Sequence, residues 1–162
     1  MNPDVVINLF NSCNNIVAIK EASGSLSQIS KIKKGCDISI YSGDDLNIIP
    51  IISLGGIGVI SVASNLIPKT LCKLVELCNE NDFNQAREMH YKYYDFIESL
   101  FIVSNPIPLK YLLFKNKLIS RDNVRLPLTK ICDKAVKDRL ELFNSSSYFE
   151  KNNMKDDIYI SV

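Results

Sequence analysis

One lysine in this chain has the sequence context that amine chemistry requires. Lys20 follows four consecutive apolar residues, Ile16 to Ile19, and precedes a glycine turn at Gly24. A run of this length is too short for a helix core and is typical of a parallel strand covered on both faces. Lysine is rarely buried unless it is paired or chemically used. One interpretation of the pattern is a neutral amine that attacks a carbonyl group and forms a Schiff base.

In a second interpretation Lys20 is a surface lysine without a catalytic role. The aliphatic stem of a lysine at a strand end often packs against the protein while its ammonium group reaches water. The decapeptide Asn15–Gly24 does not by itself decide between a nucleophile and a surface lysine. The neighbouring segments are therefore needed to decide between these two interpretations of Lys20.

Two further segments have the composition of short strands. They are Ser39–Ser42 and Val59–Val62, the second preceded by a glycine-rich stretch, and leucines and isoleucines at helical spacing precede each of them. Strands that alternate with helices are typical of parallel βα units. In such units the functional residues lie at the C-terminal ends of the strands. Lys20, Gly43 and Ile60 all fall at or near those ends.

The second half of the chain has helical patterns. Pro68 suits the first turn of a helix, and Asp82 followed by Gln85 predicts the capped start of a long amphipathic helix. A last helix is predicted over Lys130–Phe143. From Asn144 onward polar residues dominate, which indicates disorder.

Composition and charge exclude several classes of partner. The 162-residue chain is 46% hydrophobic and has a net charge of +1, so its field is too weak to hold nucleic acid or an anionic membrane surface. No apolar stretch reaches the roughly 20 residues of a membrane span. The start lacks the basic and apolar segments of a signal peptide. We therefore expect a cytoplasmic protein without nucleic-acid or membrane partners.

The cysteines show neither a metal-binding nor a disulfide pattern. Their number is odd, no CxxC pair occurs, and they are Cys13, Cys36, Cys72, Cys78 and Cys132. A small secreted domain held by disulfides would show an even number at regular spacing. We predict reduced thiols, with Cys72 and Cys78 as small apolar residues of a helix, and no metal site.

Five short motifs occur in an order that points to one family. They are IKEASG at Ile19–Gly24, SGDD at Ser42–Asp45, GGIGVISV at Gly55–Val62, NPIPLK at Asn105–Lys110 and LPLT at Leu126–Thr129. Because of these motifs the chain resembles the dihydrodipicolinate synthases of the pyruvate-dependent class I aldolase superfamily. The resemblance extends over residues 3–140. Related lyases that act on N-acetylneuraminate or sugar acids share the Schiff-base lysine and are the alternative branch.

The resemblance implies an α/β chain that forms part of a TIM (β/α)8 barrel. Such barrels need about 250 residues, and the three predicted strands match the family's sixth, seventh and eighth. Residues 1–66 are then the barrel part, 67–143 the last barrel helix with a C-terminal helical region, and 144–162 a disordered tail. Because the first five strands have no counterpart, we expect a C-terminal fragment.

The resemblance also implies a lyase activity and the residues that carry it. The lysine that matches Lys20 attacks the ketone of pyruvate, and the resulting enamine adds to aspartate semialdehyde in lysine and diaminopimelate biosynthesis. Ile60 is implied to contact pyruvate through its backbone, and Gly43 to leave room beside the imine. Asp44 and Asp45 are expected to tie down the loop after the second strand. No cofactor is implied, because the protonated imine itself withdraws electrons.

The unmatched part of the family pattern leaves two hypotheses. The family's threonine pair, proton-relay tyrosine, arginine and lysine feedback site have no counterpart here, and Tyr41 belongs to the wrong strand to replace that tyrosine. The chain is either the catalytic-lysine half of an enzyme or a non-catalytic remnant of a truncated gene. In the first case a separate N-terminal half completes it, and the family's homo-oligomeric assembly is expected.

Overall fold

Strands and helices alternate along the first half of the chain. The structure is a computed structural model that describes residues 1–145. The first half contains, in order, α1 (Pro3–Ser12), β1 (Ala18–Glu21), α2 (Leu26–Gly35), β2 (Ser39–Ser42), α3 (Ile48–Ser53) and β3 (Gly58–Val59). The second half contains the helices α4 (Pro68–Asn79), α5 (Phe83–Ser99), α6 (Ile107–Lys115) and α7 (Lys134–Ser145). The predicted disordered tail, 144–162, lies outside the described residues apart from its first two, which end α7.

The three strands form one parallel sheet in the order β1-β2-β3. In the register between β1 and β2, Lys20 lies opposite Tyr41, and between β2 and β3, Tyr41 lies opposite Gly58. The predicted order and parallel pairing of the strands are therefore confirmed.

The third strand is shorter than predicted. It covers Gly58–Val59 rather than Val59–Val62, although the N–H of Ile60 still donates to the carbonyl of Ser42 at 2.8 Å. Beyond that bond the chain enters a 3-10 turn at Ala63–Asn65. A turn in this position removes the following residues from the ladder.

One face of the sheet packs on the helices of the same half. Its core consists of aliphatic side chains from β2, from the residue before it and from all three helices, namely Val6, Ile29, Ile32, Ile38, Ile40 and Ile51. Each such side chain contributes about 1.5–3 kcal/mol when it leaves water. Burial of this face therefore sets the register of the sheet.

Within residues 1–145 the first strand is covered on one face. Ala18 and Lys20 are exposed along β1, while Glu21 is buried. Val17, just before the strand, is 65% exposed. Within residues 1–145, β1 pairs with β2 alone, and the helices cover a single face of the sheet. The face that carries Lys20 is therefore open to solvent.

Contacts divide the chain into two compact units. The first comprises Met1–Ser61 and Lys73–Glu88 and contains the sheet, and the second comprises Val62–Cys72 and the chain from Met89 onward. In the second unit α6 packs on α7. The rings of Phe96 and Phe143 meet edge to face there, with 5.9 Å between their centroids.

Side-chain caps set the starts of two helices. Asp82 caps α5 as predicted, because its carboxylate accepts from the N–H of Gln85 at 3.1 Å. The last helix begins at Lys134 and not at Lys130. The carboxylate of Asp133 accepts from the N–H of Ala135 at 2.7 Å, which marks this residue as the cap. The predicted start was therefore four residues too early.

The five cysteines are unpaired. Cys78 is buried as predicted, and burial raises the pKa of its thiol. Cys72 is exposed, so the prediction that it packs as an apolar residue is wrong. Among residues 1–145 no group of three or more His, Cys, Asp and Glu side chains is placed to hold a metal ion. No helix of this part of the chain is long and apolar enough to cross a membrane.

Candidate active site

The three residues singled out from the sequence lie on one face of the sheet, at one end. Side chains alternate between the faces of a strand, and the register aligns Lys20 with Tyr41 and Gly58. Gly43 and Ile60 follow two positions after Tyr41 and Gly58, so they extend the same face. The opposite face carries Glu21 and Ser42, which are buried. The structure thus places Lys20, Gly43 and Ile60 together at the C-terminal end of the open face.

Gly43 lies directly against the arm of Lys20. A Cβ atom at Gly43 would lie 2.9 Å from Cε of Lys20 and 2.5 Å from Cβ of Ala22. The N–H of Gly43 donates to the carbonyl of Glu21 at 2.7 Å, which holds the two strand ends at this spacing. Only the absence of a side chain lets the lysine arm lie across the end of β2.

Ile60 follows β3 and is exposed. Its side chain is 48% exposed. Its N–H is engaged by the carbonyl of Ser42 in the sheet, so a backbone contact to a ligand has to come from the carbonyl oxygen of Ile60. Such an oxygen accepts hydrogen bonds and suits a protonated amine or imine.

Two acids fasten the loop after β2, as predicted. The Asp44 carboxylate accepts from the N–H of Leu46 at 2.9 Å and from the side-chain amide of Asn47 at 2.8 Å. Asp45 is buried and accepts a hydrogen bond from the hydroxyl of Ser61. The second bond links the segment after β2 to the segment after β3. Both carboxylates are engaged structurally.

Tyr41 leans away from the lysine. It is aligned with Lys20 in the ladder, but a Cβ atom at Gly58 would meet Cδ1 of Tyr41 at 3.3 Å. The tyrosine ring therefore lies over β3, on the side away from β1.

Glu21 is the positioning residue that the sequence interpretation missed. It follows Lys20 on β1 and points to the packed face, where its carboxylate accepts from the N–H of Ser23 at 2.7 Å and from the side-chain amide of Gln28 at 2.8 Å. Burial opposes its ionisation, but the hydrogen bonds from Ser23 and Gln28 outweigh this and hold the pKa of Glu21 below its usual value. These bonds shape the turn in which Gly24 has a φ of 74°. The sequence contained a sign of this role, because Glu21 follows Lys20 and so lies on the face of β1 opposite to the lysine, where an acid needs hydrogen-bond partners.

We expect Glu21→Gln to lower the free energy of unfolding at pH 7 by about 1.5–3 kcal/mol, because two hydrogen bonds to a charged acceptor are weakened. The lowered pKa stabilises the fold above the pKa that the unfolded chain shows, and this contribution is lost as pH falls through the folded-state pKa. Urea unfolding at pH 7 and near pH 3 measures the difference between wild type and variant, with Glu80→Gln on the exposed surface as control. A difference that stays constant in acid would contradict the assignment.

The arrangement suits an amine nucleophile. A strand end holds Lys20 on a rigid frame, a glycine makes room for its arm, and a carbonyl acceptor at Ile60 lies at the same end of the sheet. Within residues 1–145 the face that carries Lys20 is open to solvent.

Comparisons with known proteins agree with this geometry. The profile of the Dihydrodipicolinate synthetase family matches residues 1–143. The 4-hydroxy-tetrahydrodipicolinate synthase of Methanococcus maripaludis is 41% identical over 145 residues, which are 90% of this chain and 49% of that protein. The enzyme of the same name from Endomicrobium trichonymphae is 43% identical over 143 residues, 88% of this chain and 48% of that protein.

A solved structure has the same fold over the matched part. The crystal structure of dihydrodipicolinate synthase from Aquifex aeolicus superposes with a TM-score of 0.84 at 36% identity, and the match covers 88% of this chain and 49% of that one. The chain therefore spans about half the length of the relatives it matches. The parallel three-stranded sheet corresponds to part of their barrel. On the family profile, the identity and the shared fold, this chain belongs to the dihydrodipicolinate synthetase family.

Proposed function

We propose that this chain is the lysine-bearing half of a Schiff-base lyase that condenses pyruvate with aspartate semialdehyde. Lys20 attacks the ketone carbon of pyruvate, and loss of water gives a protonated imine. Loss of a methyl proton then gives an enamine, whose carbon adds to the aldehyde. The amino group of the aspartate semialdehyde part then attacks the imine carbon, which closes the ring and releases the amine of Lys20. The ring is the 4-hydroxy-tetrahydrodipicolinate that the names of the relatives give, and we propose that it serves lysine and diaminopimelate biosynthesis.

The observation that carries this proposal is the fit between Gly43 and the arm of Lys20. A glycine at a strand end needs no explanation when its surroundings are open, but here a single added carbon would contact Cε of Lys20 at 2.9 Å. That contact supports a requirement for free movement of the lysine arm. The carbonyl of Ile60 is proposed to accept from the protonated imine, and the other residues of the pocket are proposed to come from the rest of the barrel.

The open face supports a need for a second half. The chain covers 49% of the Aquifex aeolicus structure, and the strand that carries Lys20 is exposed. An exposed parallel sheet with a free edge recruits other polypeptide. We propose that the remaining half of the barrel closes this face, whether it belongs to the same polypeptide or to a separate one, and that the complete barrels form homo-oligomers.

A non-catalytic remnant is the competing function. In that case Lys20 forms no imine with pyruvate even when the rest of the barrel is supplied. A pyruvate-dependent lyase of another branch is a second alternative, and only the identity of the second substrate separates it from the synthase.

Trapping of the imine tests the proposal. The chain is mixed with the part of the Methanococcus maripaludis synthase that it does not match, and pyruvate and borohydride are added. We expect mass spectrometry to find the reduced pyruvate adduct on the peptide that contains Lys20, and little adduct without the added half. The control omits pyruvate.

The result separates the hypotheses. An adduct on Lys20 followed by turnover with aspartate semialdehyde supports the synthase, and an adduct with turnover of another aldehyde supports a related lyase. A soluble complex that forms no adduct would identify the chain as a remnant. An adduct spread over surface lysines would refute the assignment of Lys20.

A further inference from the structure

A cleft of about 460 Å³ lies in the second unit, between α6, α7 and the segment that joins them. It is remote in sequence from the proposed Schiff-base site and uses none of its residues. Its volume is in the range of small-molecule sites. Four ammonium groups line it, those of Lys115, Lys130, Lys134 and Lys137.

Three of these lysines face a carboxylate. The pairs are Lys115–Glu141 at 2.8 Å, Lys130–Asp122, and Lys134–Asp138 at 3.9 Å. Four positive charges against three negative ones leave the lining with one excess positive charge. The excess belongs to Lys137, which makes no ion pair within 4.0 Å with any residue of the described chain.

Lys137 shares the lining of the cleft with Asp122 and Glu141, and the ion pairs of these two acids are with Lys130 and Lys115. The hydrogen bond from Lys130 is the main cause that lowers the pKa of Asp122, and the hydrogen bond from Lys115 has the same effect on Glu141. The charge of Lys137 adds to both shifts. Lys137 lines the same cleft as both acids, and each of these acids already holds another lysine. An unpaired ammonium group among neutralised acids attracts an anion.

The same cleft has an apolar side. Phe114 is 40% exposed, and Ile131 lies beside it in the lining. The ring of Tyr111 is held in place because its hydroxyl donates to Glu141, and the ammonium group of Lys115 lies 5.4 Å from the centre of that ring. Fixed rings next to a cation suit a ligand that is planar and apolar at one end and anionic at the other.

We propose that this cleft binds a small organic anion with a planar ring, its carboxylate on the ammonium group of Lys137 and its ring against Phe114 and Ile131. The site is independent of the Schiff-base chemistry. It requires neither the second half of the barrel nor an active enzyme.

Benzoate is the probe, and benzylamine is a cation of nearly the same shape. Saturation-transfer NMR on the full chain, which also works on oligomers, is expected to show saturable binding of benzoate and none of benzylamine. Lys137→Gln is expected to weaken benzoate about tenfold, since a charged hydrogen bond is lost. Lys73→Gln is the matched control, because Lys73 lies on α4 and pairs with Glu76. Phe114→Ala is a second variant that weakens the ring contact and keeps the charge.

Loss of benzoate affinity in both cleft variants, with Lys73→Gln unchanged and the same far-UV circular dichroism, supports the site. Binding of benzylamine with the same affinity as benzoate would show that the charge of Lys137 does not favour an anion over a cation, and would overturn the proposal. It is also overturned if benzoate does not saturate, or if its affinity is unchanged in Lys137→Gln and in Phe114→Ala.

Discussion

Replacing Lys20 by alanine is expected to abolish pyruvate trapping and to reduce turnover of the completed barrel by roughly a thousandfold or more, because the residue that we propose to form the covalent intermediate is gone. The side chain lies on the open face of β1 and contributes little to the core, so the fold should survive. The measurements are the mass of the borohydride adduct and the rate of condensation with aspartate semialdehyde.

Two variants separate chemistry from charge. Lys20→Arg keeps the positive charge and much of the length, but a guanidinium group does not lose its proton in proteins and forms no imine, so it should be as inactive as Lys20→Ala. Lys34→Ala, at the exposed end of α2, should retain full activity. Activity in Lys20→Arg would show that the residue contributes only charge.

Gly43→Ala is expected to slow imine formation by about 10–100-fold, since displacement of a reacting group by about 1 Å has an effect of this size. The added Cβ atom would lie 2.9 Å from Cε of Lys20 and 2.5 Å from Cβ of Ala22. A lysine arm moves away at little cost in stability, but it then no longer lies across the end of β2. The rate of borohydride trapping at saturating pyruvate measures the effect.

A double variant distinguishes the two short contacts. Ala22→Gly removes the atom at 2.5 Å, and leaves the contact with Lys20 and a contact of 3.2 Å with the backbone Cα of residue 22. In the combination Gly43→Ala/Ala22→Gly we expect stability in urea to recover, and the rate of trapping to stay low. Recovery of both quantities would show that Gly43 matters for packing against Ala22, and would remove the main support for a role beside the imine.

Most of the correct predictions from the sequence rest on patterns among residues that are close together along the chain. The parallel order of the strands follows from short apolar runs separated by helical spacing, because each strand and each helix buries its own local pattern of side chains. The role of Asp44 was also predictable, since caps and turns involve residues a few positions apart. The partner of Asp45 is Ser61, 16 residues further along the chain, so that bond depends on the tertiary structure. The same local logic misplaced the start of the last helix, where Asp133 competes with earlier residues as the cap.

The sequence alone determined the family, the strand order and the position of Lys20 at a strand end, because motifs and periodicity are properties of neighbouring residues. Only the tertiary structure decided what surrounds that lysine. Ile16 to Ile19 are apolar whether one face of β1 is covered or two, so exposure depends on which elements pack there. The space beside Gly43, where a Cβ atom would lie 2.9 Å from Cε of Lys20, and the partners of Glu21 likewise depend on how far apart the packed core holds β1, β2 and α2. Pairing across the sheet, and not the order of residues, brings these atoms together.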